Sequence, residues 1–169
     1  MTPDLIPDVL AVLREATAKP LIAKLAVHQP YRELLPRIAG YVDYIACSNT
    51  LGPGLALNIH SRKPLLTGIT GGISGAAIKP VVMKMVYDLY PLLDHERVGL
   101  LAYGGIRTWE DVIEYAQAGA EVFGIGTAFL GKSTKEIVEF THDLWRGCEK
   151  FFDREQCTLQ DVIGSAHHV

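Results

Sequence analysis

Apolar residues recur with two different periods along this chain, and the alternation between them predicts the architecture. From Pro3 to Ala18, Leu5, Ile6, Val9, Leu10, Val12 and Leu13 return at helical spacing, and Lys19-Pro20 ends the run. Leu21 to Val27 then reads as a short apolar strand interrupted only by Lys24, the pattern of a buried parallel strand. Tyr31 to Ala39 predicts a helix, and Val42 to Cys47 a second strand ending in Ser48-Asn49-Thr50. Leu51 to Gly72 is a long connection rich in Gly and Pro, with two β-like runs, Leu55 to Ile59 and Lys63 to Leu66. Ser74 to Leu93 is the longest helical segment, with Ile78, Val81, Val82, Met85, Val86 and Leu89 along one side. A third strand, Val98 to Ala102, precedes a helix, Trp109 to Ala118, closed by Gly119. Val122 to Ile125 is the fourth strand. A long helix follows from Thr134 to Phe152, and a short terminal one from Thr158 to Ala166.

The order is one helix followed by four β/α units, which predicts an α/β fold with a parallel sheet covered by helices. No linker or low-complexity tract divides residues 1–169, so they read as a single domain. No G-x-G-x-x-G follows the first strand, which excludes a doubly wound dinucleotide fold. A closed (β/α)8 barrel needs eight strands, and a four-stranded portion leaves two free edges and an uncovered inner face. The expectation is that another chain, or the remainder of a longer one, completes the barrel.

Two of the predicted strands end in glycine just before a turn. Val98 to Ala102 runs into Tyr103-Gly104-Gly105-Ile106-Arg107-Thr108, and Val122 to Ile125 into Gly126-Thr127-Ala128. Paired turns of this kind, one β/α unit apart, form the phosphate cradle after the seventh and eighth strands of a (β/α)8 barrel. Glycine lets backbone N–H groups close around phosphate oxygens, and the following helix N-terminus adds a favourable dipole. Ordinary tight turns also prefer glycine, but two at this spacing favour a phosphate site.

Composition narrows the classes further. Of the 169 residues 49% are apolar, enough for one cored domain, and the net charge of −3 gives no basic field for nucleic acid. No run of about 18 apolar residues marks a membrane span. Met1 to Leu10 lacks the basic and apolar regions of a signal peptide. Three cysteines, Cys47, Cys148 and Cys157, form no metal spacing and read as free thiols of a reducing, cytoplasmic setting. The six histidines form no zinc-ligand pattern, and His167-His168 read as a mobile terminus. Trp109 and Trp145 read as helix-packing residues.

Five motifs now stand in order: Pro20-Leu-Ile-Ala-Lys24-Leu, Ser48-Asn49-Thr50-Leu-Gly52, Thr70-Gly-Gly-Ile-Ser-Gly75-Ala-Ala-Ile-Lys79-Pro80, Tyr103-Gly-Gly-Ile-Arg-Thr108 and Gly124-Ile-Gly126-Thr127-Ala128. Together they resemble the C-terminal half of the class 1, soluble dihydroorotate dehydrogenases, over roughly residues 3 to 145. The resemblance implies the last four β/α units of an FMN-dependent (β/α)8 TIM barrel that oxidises dihydroorotate to orotate in pyrimidine synthesis. It places the catalytic base, a Cys or Ser, in the half that has no counterpart here, so no catalytic residue is expected in this chain. The implied partners are dihydroorotate and orotate, the other half of the barrel or a longer parent chain, and a second copy in a homodimer. The electron acceptor stays open between fumarate and a nicotinamide-linked iron–sulfur partner.

By the same resemblance Lys24 reaches the flavin N1/O2 edge, where positive charge stabilises the reduced anion; a mid-strand lysine otherwise snorkels near a strand end. Ser48 falls on the flavin, and Asn49 and Thr50 fall on the substrate. The Asn amide offers the donor and acceptor that suit a pyrimidine edge, against the alternative of an Asx turn. Gly75 opens the long helix and matches a flavin-contacting glycine, with Gly71, Gly72 and Ser74 as supports. Gly104, Gly105, Gly126 and Thr127 match the FMN phosphate site. Arg107 reads as a solvated turn residue. Alternation along its strand puts Cys47 on the side of Asn49, but deeper, as a small apolar residue rather than a base. Two other readings fit the same residues. One is a non-catalytic half-barrel binding FMN or another phosphate. The other is a flavoenzyme similar to dihydropyrimidine dehydrogenase.

Overall fold

The structure, a computed structural model, describes residues 5–168. Met1 to Asp4, including the first two residues of the predicted opening helix, lie outside the described residues. Helix α1 spans Leu5–Ala16, β1 Ile22–Leu25, α2 Tyr31–Ile38 and β2 Tyr44–Cys47. The long connection folds into two small ladders. Strand β3 (Leu51–Gly54) pairs antiparallel with β6 (Gly71–Ile73), and between them β4 (Leu57–Asn58) pairs with β5 (Lys63–Pro64). Then come α3 (Lys79–Leu89), β7 (Gly99–Tyr103), α4 (Trp109–Ala118), β8 (Val122–Gly124), α5 (Thr134–Glu155) and α6 (Leu159–Val162).

Strands β1, β2, β7 and β8 form one parallel sheet in that order. The register sets Leu25, Cys47 and Ala102 in one row and Lys24, Ala46, Leu101 and Val122 in the next. Parallel strands in register share a face, so these rows lie on opposite sides. The first side is the core: Leu25, Ile45, Cys47, Leu100 and Ala102 are buried against α3 residues Val82, Met85, Val86 and Leu89. The helices form a layer on that side in chain order, α1 against α2, α2 against α3, α3 against α4 and α4 against α5. The second side is bare at its two edge strands, with Ile22 54% and Val122 38% exposed, while Ala46 and Leu101 between them are buried.

The α/β parallel architecture matches the expectation, while several local details differ. Strand β1 alternates exposed and buried residues instead of being buried on both faces, and Lys24 is exposed on the bare side. The predicted helix from Ser74 starts later. Gly75 has φ +82°, ψ −161°, a short 3-10 turn covers Ala76–Ile78, and α3 begins at Lys79 with Pro80 in its first turn. That backbone region is closed to side-chain-bearing residues, so Gly75 breaks the helical run that periodicity alone extended across it.

Trp145 does not pack: it is 68% exposed on α5, while Trp109 sits against Phe151 in a second apolar cluster with Ile113, Ala116 and Val162. His167 is packed instead of hanging free. Its ring stacks on Tyr87 at 4.1 Å and lies 3.2 Å from the Ala118 carbonyl oxygen, so the terminal segment docks on the ends of α3 and α4. The three cysteines are free.

Candidate functional site

A cavity of 490 Å³ opens at the C-terminal ends of the four parallel strands, where open α/β sheets place their ligands. Its lining comes from five places, with Leu130 to Lys132 and Glu136 beyond the last of them. Lys24 projects from β1. Ser48 and Thr50 follow β2. Ser74, Gly75, Ala76 and Ile78 lead into α3. The two glycine turns after β7 and β8 contribute Tyr103 to Arg107 and Gly124 to Ala128. Of the nine residues predicted for cofactor and substrate, eight meet here: Lys24, Ser48, Thr50, Gly75, Gly104, Gly105, Gly126 and Thr127. Asn49 does not line this cavity. It is exposed, and its backbone N–H donates to the Leu25 carbonyl at 2.9 Å.

The two turns approach the loop before α3 closely. Gly105 has φ +72°, and a Cβ there would lie 2.8 Å from the Gly75 carbonyl oxygen and 2.9 Å from Ala76 Cα. A Cβ on Gly75 would face the Thr127 methyl at 3.4 Å. Around Gly126 nothing lies within 4 Å of a Cβ, so this turn borders open cavity. Thr127 starts a one-turn 3-10 segment, and the first N–H groups of a helical turn have no partner within it. These features are what a backbone cradle for an anionic group requires.

One buried and two half-buried side chains brace the cradle from behind. Tyr115, fully buried on α4, donates its hydroxyl to the Gly104 carbonyl at 2.7 Å. Burial first, and then the nearby Asp111 charge, push its phenol pKa up, so the donor proton stays in place. Asp111 accepts from the N–H groups of Arg107 (2.7 Å) and Thr108 (2.9 Å) and completes a capping box with Thr108. Burial alone would raise the Asp111 carboxyl, but Lys79 and those two N–H groups hold it below the usual range. Lys79 pairs with both Asp111 and Glu114. This ties the start of α3 to the start of α4.

At the cavity mouth, Glu136 is locked by Ser133, whose hydroxyl donates at 2.6 Å and whose N–H donates at 2.7 Å. The same contacts hold the Glu136 carboxyl below its ordinary pKa.

Cys47 faces the core, fully buried, and burial pushes its thiol up to about 12. The strand ends at Cys47, so alternation does not carry over to exposed Asn49, and the two do not share a side. Sequence reasoning missed the bracing by Tyr115 and Asp111. The Thr108-x-x-Asp111 spacing was readable as a cap, whereas Tyr115 carries no signal apart from its place on an apolar helix face. Arg107 is exposed, as expected of a turn residue, but it also borders the cavity.

A parallel sheet with a glycine-lined cavity at its strand ends defines a class that a family comparison makes specific: the dihydroorotate dehydrogenase model matches residues 1–145, and the chain belongs to that family. Among individual proteins, the chain is 37% identical over 166 residues to a dihydroorotate dehydrogenase B (NAD(+)) catalytic subunit of Archaeoglobus fulgidus, covering 97% of this chain and 52% of that protein. The protein of the same name from Thermococcus kodakarensis is 34% identical over 167 residues, covering 97% of this chain and 53% of that protein. The chain spans about half the length of the curated relatives it matches. Among the described residues no helix is long and apolar enough to cross a membrane.

Proposed function

We propose that this chain forms the cofactor-binding half of an FMN-dependent (β/α)8 barrel that oxidises dihydroorotate to orotate, with a second polypeptide segment supplying the first four β/α units. The observation that carries this reading is the convergence of eight predicted residues on one cavity at the strand C-termini. Membership in the family supports the reaction, and the names of the relatives favour NAD(+) as the final electron acceptor of the assembled enzyme. The residues fit a flavin phosphate: the turn at Gly126 borders open space, and a Cβ at Gly105 would meet the neighbouring backbone.

Bound flavin would supply the two-electron acceptor for substrate oxidation. The backbone N–H groups at Gly104, Gly105, Gly126 and Thr127 bind the phosphate and fix the register of the cofactor. Ser48 and Gly75, which line the same cavity, would hold the rest of the cofactor. Lys24 brings a positive charge that favours negative charge on a neighbouring ligand. Thr50 would hold substrate from the cavity wall, and Asn49, exposed beside it, would add its amide once the barrel is completed. Cys47 is not the base, because it is buried on the core side and stays a thiol at neutral pH. The base comes from the completing segment. Pyrimidine synthesis in the cytoplasm is the setting that fits this activity.

A second reading rests on the bare sheet face, where Ile22 and Val122 are exposed. A second copy of the chain could cover it, giving a non-catalytic, phosphate-binding homodimer. One experiment separates the two. The chain is mixed with a polypeptide corresponding to the first half of the Archaeoglobus relative, and flavin absorbance, complex mass and dihydroorotate oxidation are followed. A flavin-loaded heteromeric complex that turns over substrate supports the enzyme. A flavin-binding homodimer without turnover supports the module, and neither flavin nor phosphate binding would refute both.

A further inference from the structure

The bare side of the sheet carries one aromatic ring at the cavity. Tyr103, the last residue of β7, is 38% exposed, and its ring centroid lies 5.5 Å from the Lys24 ammonium. The two side chains come from strands separated by β2. In the row between Lys24 and Leu101 the β2 residue is Ala46, a small side chain that is itself buried and does not stand between the two. The ring has its own slot. It lies over Gly124 on β8, where a Cβ would be 1.8 Å from the ring Cε1. The backbone beneath it is held at two successive carbonyls: Ser48 N–H donates to the Tyr103 carbonyl at 3.1 Å, and Tyr115 donates to the Gly104 carbonyl at 2.7 Å.

We propose that Tyr103 is a positioning residue for Lys24: its ring, seated over Gly124, holds the ammonium at the cavity floor instead of leaving a long exposed side chain to sample solvent. A lysine stem has several free torsions, and an ammonium over an aromatic face is attracted by the ring quadrupole. The pairing gives Lys24 a fixed place before any ligand arrives, which is the preorganisation that makes a charge effective toward a bound group. The inference rests on the flavin reading for the identity of that group, but not for the pairing itself.

NMR of the isotopically labelled chain tests the pairing without ligand. The Lys24 ε-methylene signals are expected upfield of those of the other lysines, from the Tyr103 ring current. Tyr103→Phe should keep the shift, and Tyr103→Leu should remove it. Gly124→Ala gives a second route to the same loss by displacing the ring. A Lys24 signal in the ordinary range in the unmodified chain overturns the proposal.

FMN titration tests the consequence. Tyr103→Leu should weaken affinity about two- to fivefold, as expected for one exposed cation–π contact. It should have no further effect in a Lys24→Met background, and Tyr103→Phe should bind like the unmodified chain. A large loss with Lys24→Met but none with Tyr103→Leu overturns the positioning role while the flavin reading stands. An upfield Lys24 signal with no FMN binding by the unmodified chain, either alone or mixed with the completing segment, refutes the flavin reading and leaves the pairing intact.

Discussion

Replacing Tyr115 with Phe removes one oxygen atom and leaves the ring, so the perturbation isolates a hydrogen bond. The hydroxyl is fully buried, donates to the Gly104 carbonyl at 2.7 Å and lies 3.3 Å from the Lys79 carbonyl. Gly104 is itself buried, so its carbonyl finds no water once the donor is gone. Leaving a buried acceptor unsatisfied costs about 1–3 kcal/mol. The ring keeps its volume, so a cavity adds little. With a urea m-value of about 2 kcal/mol/M for a chain of this size, the unfolding midpoint should fall by about 0.5–1.5 M with no change in m. Because Gly104 opens the glycine turn, inorganic phosphate or FMN affinity should fall as well. The assay is urea unfolding followed by circular dichroism, paired with a ligand titration. A midpoint shift below about 0.2 M together with unchanged binding would refute the claim that Tyr115 braces the turn.

Three further outcomes follow from the same geometry. Gly105→Ala places a methyl in the left-handed region, at a cost of about 1–2 kcal/mol, and drives it toward the Gly75 carbonyl, so FMN binding should be lost more completely than stability, as titration and melting would show. The Asp111 carboxyl is held below its unfolded value, so its contribution is present above about pH 4 and disappears as pH falls through the lower folded value; Asp111→Asn should flatten the acid limb of a stability-against-pH curve, and an unchanged limb would contradict the bracing role. Cys47 should resist alkylation at neutral pH in the folded chain while Cys157, which is only partly buried, reacts, as peptide mass analysis after timed iodoacetamide treatment would reveal.

The candidate site was more legible than the surroundings that hold it. Gly104-Gly105 and Gly126-Thr127 announce themselves because few residues other than glycine tolerate such turns, and Lys24 stands out because a charge interrupts an apolar run. Tyr115 and Asp111 were silent because their function is a contact with a residue distant in space, and no local pattern records it. Trp145 and His167 depart from the sequence expectation for a related reason. Helical spacing shows which residues share a face, but not whether anything lies opposite that face. The Trp145 face is exposed, whereas His167 finds Tyr87 and Tyr90 beneath it.

By itself the sequence determined the α/β alternation, the four strands and the two glycine turns, because periodicity, propensity and turn chemistry act over a few residues. Only the tertiary structure decided which face of the sheet is covered, that Lys24 is exposed beside the Tyr103 ring, and that Gly75 ends one segment before α3 begins. Those outcomes depend on the order of strands in the sheet and on close approaches between segments far apart in the chain, where packing and hydrogen-bond satisfaction outweigh local preference.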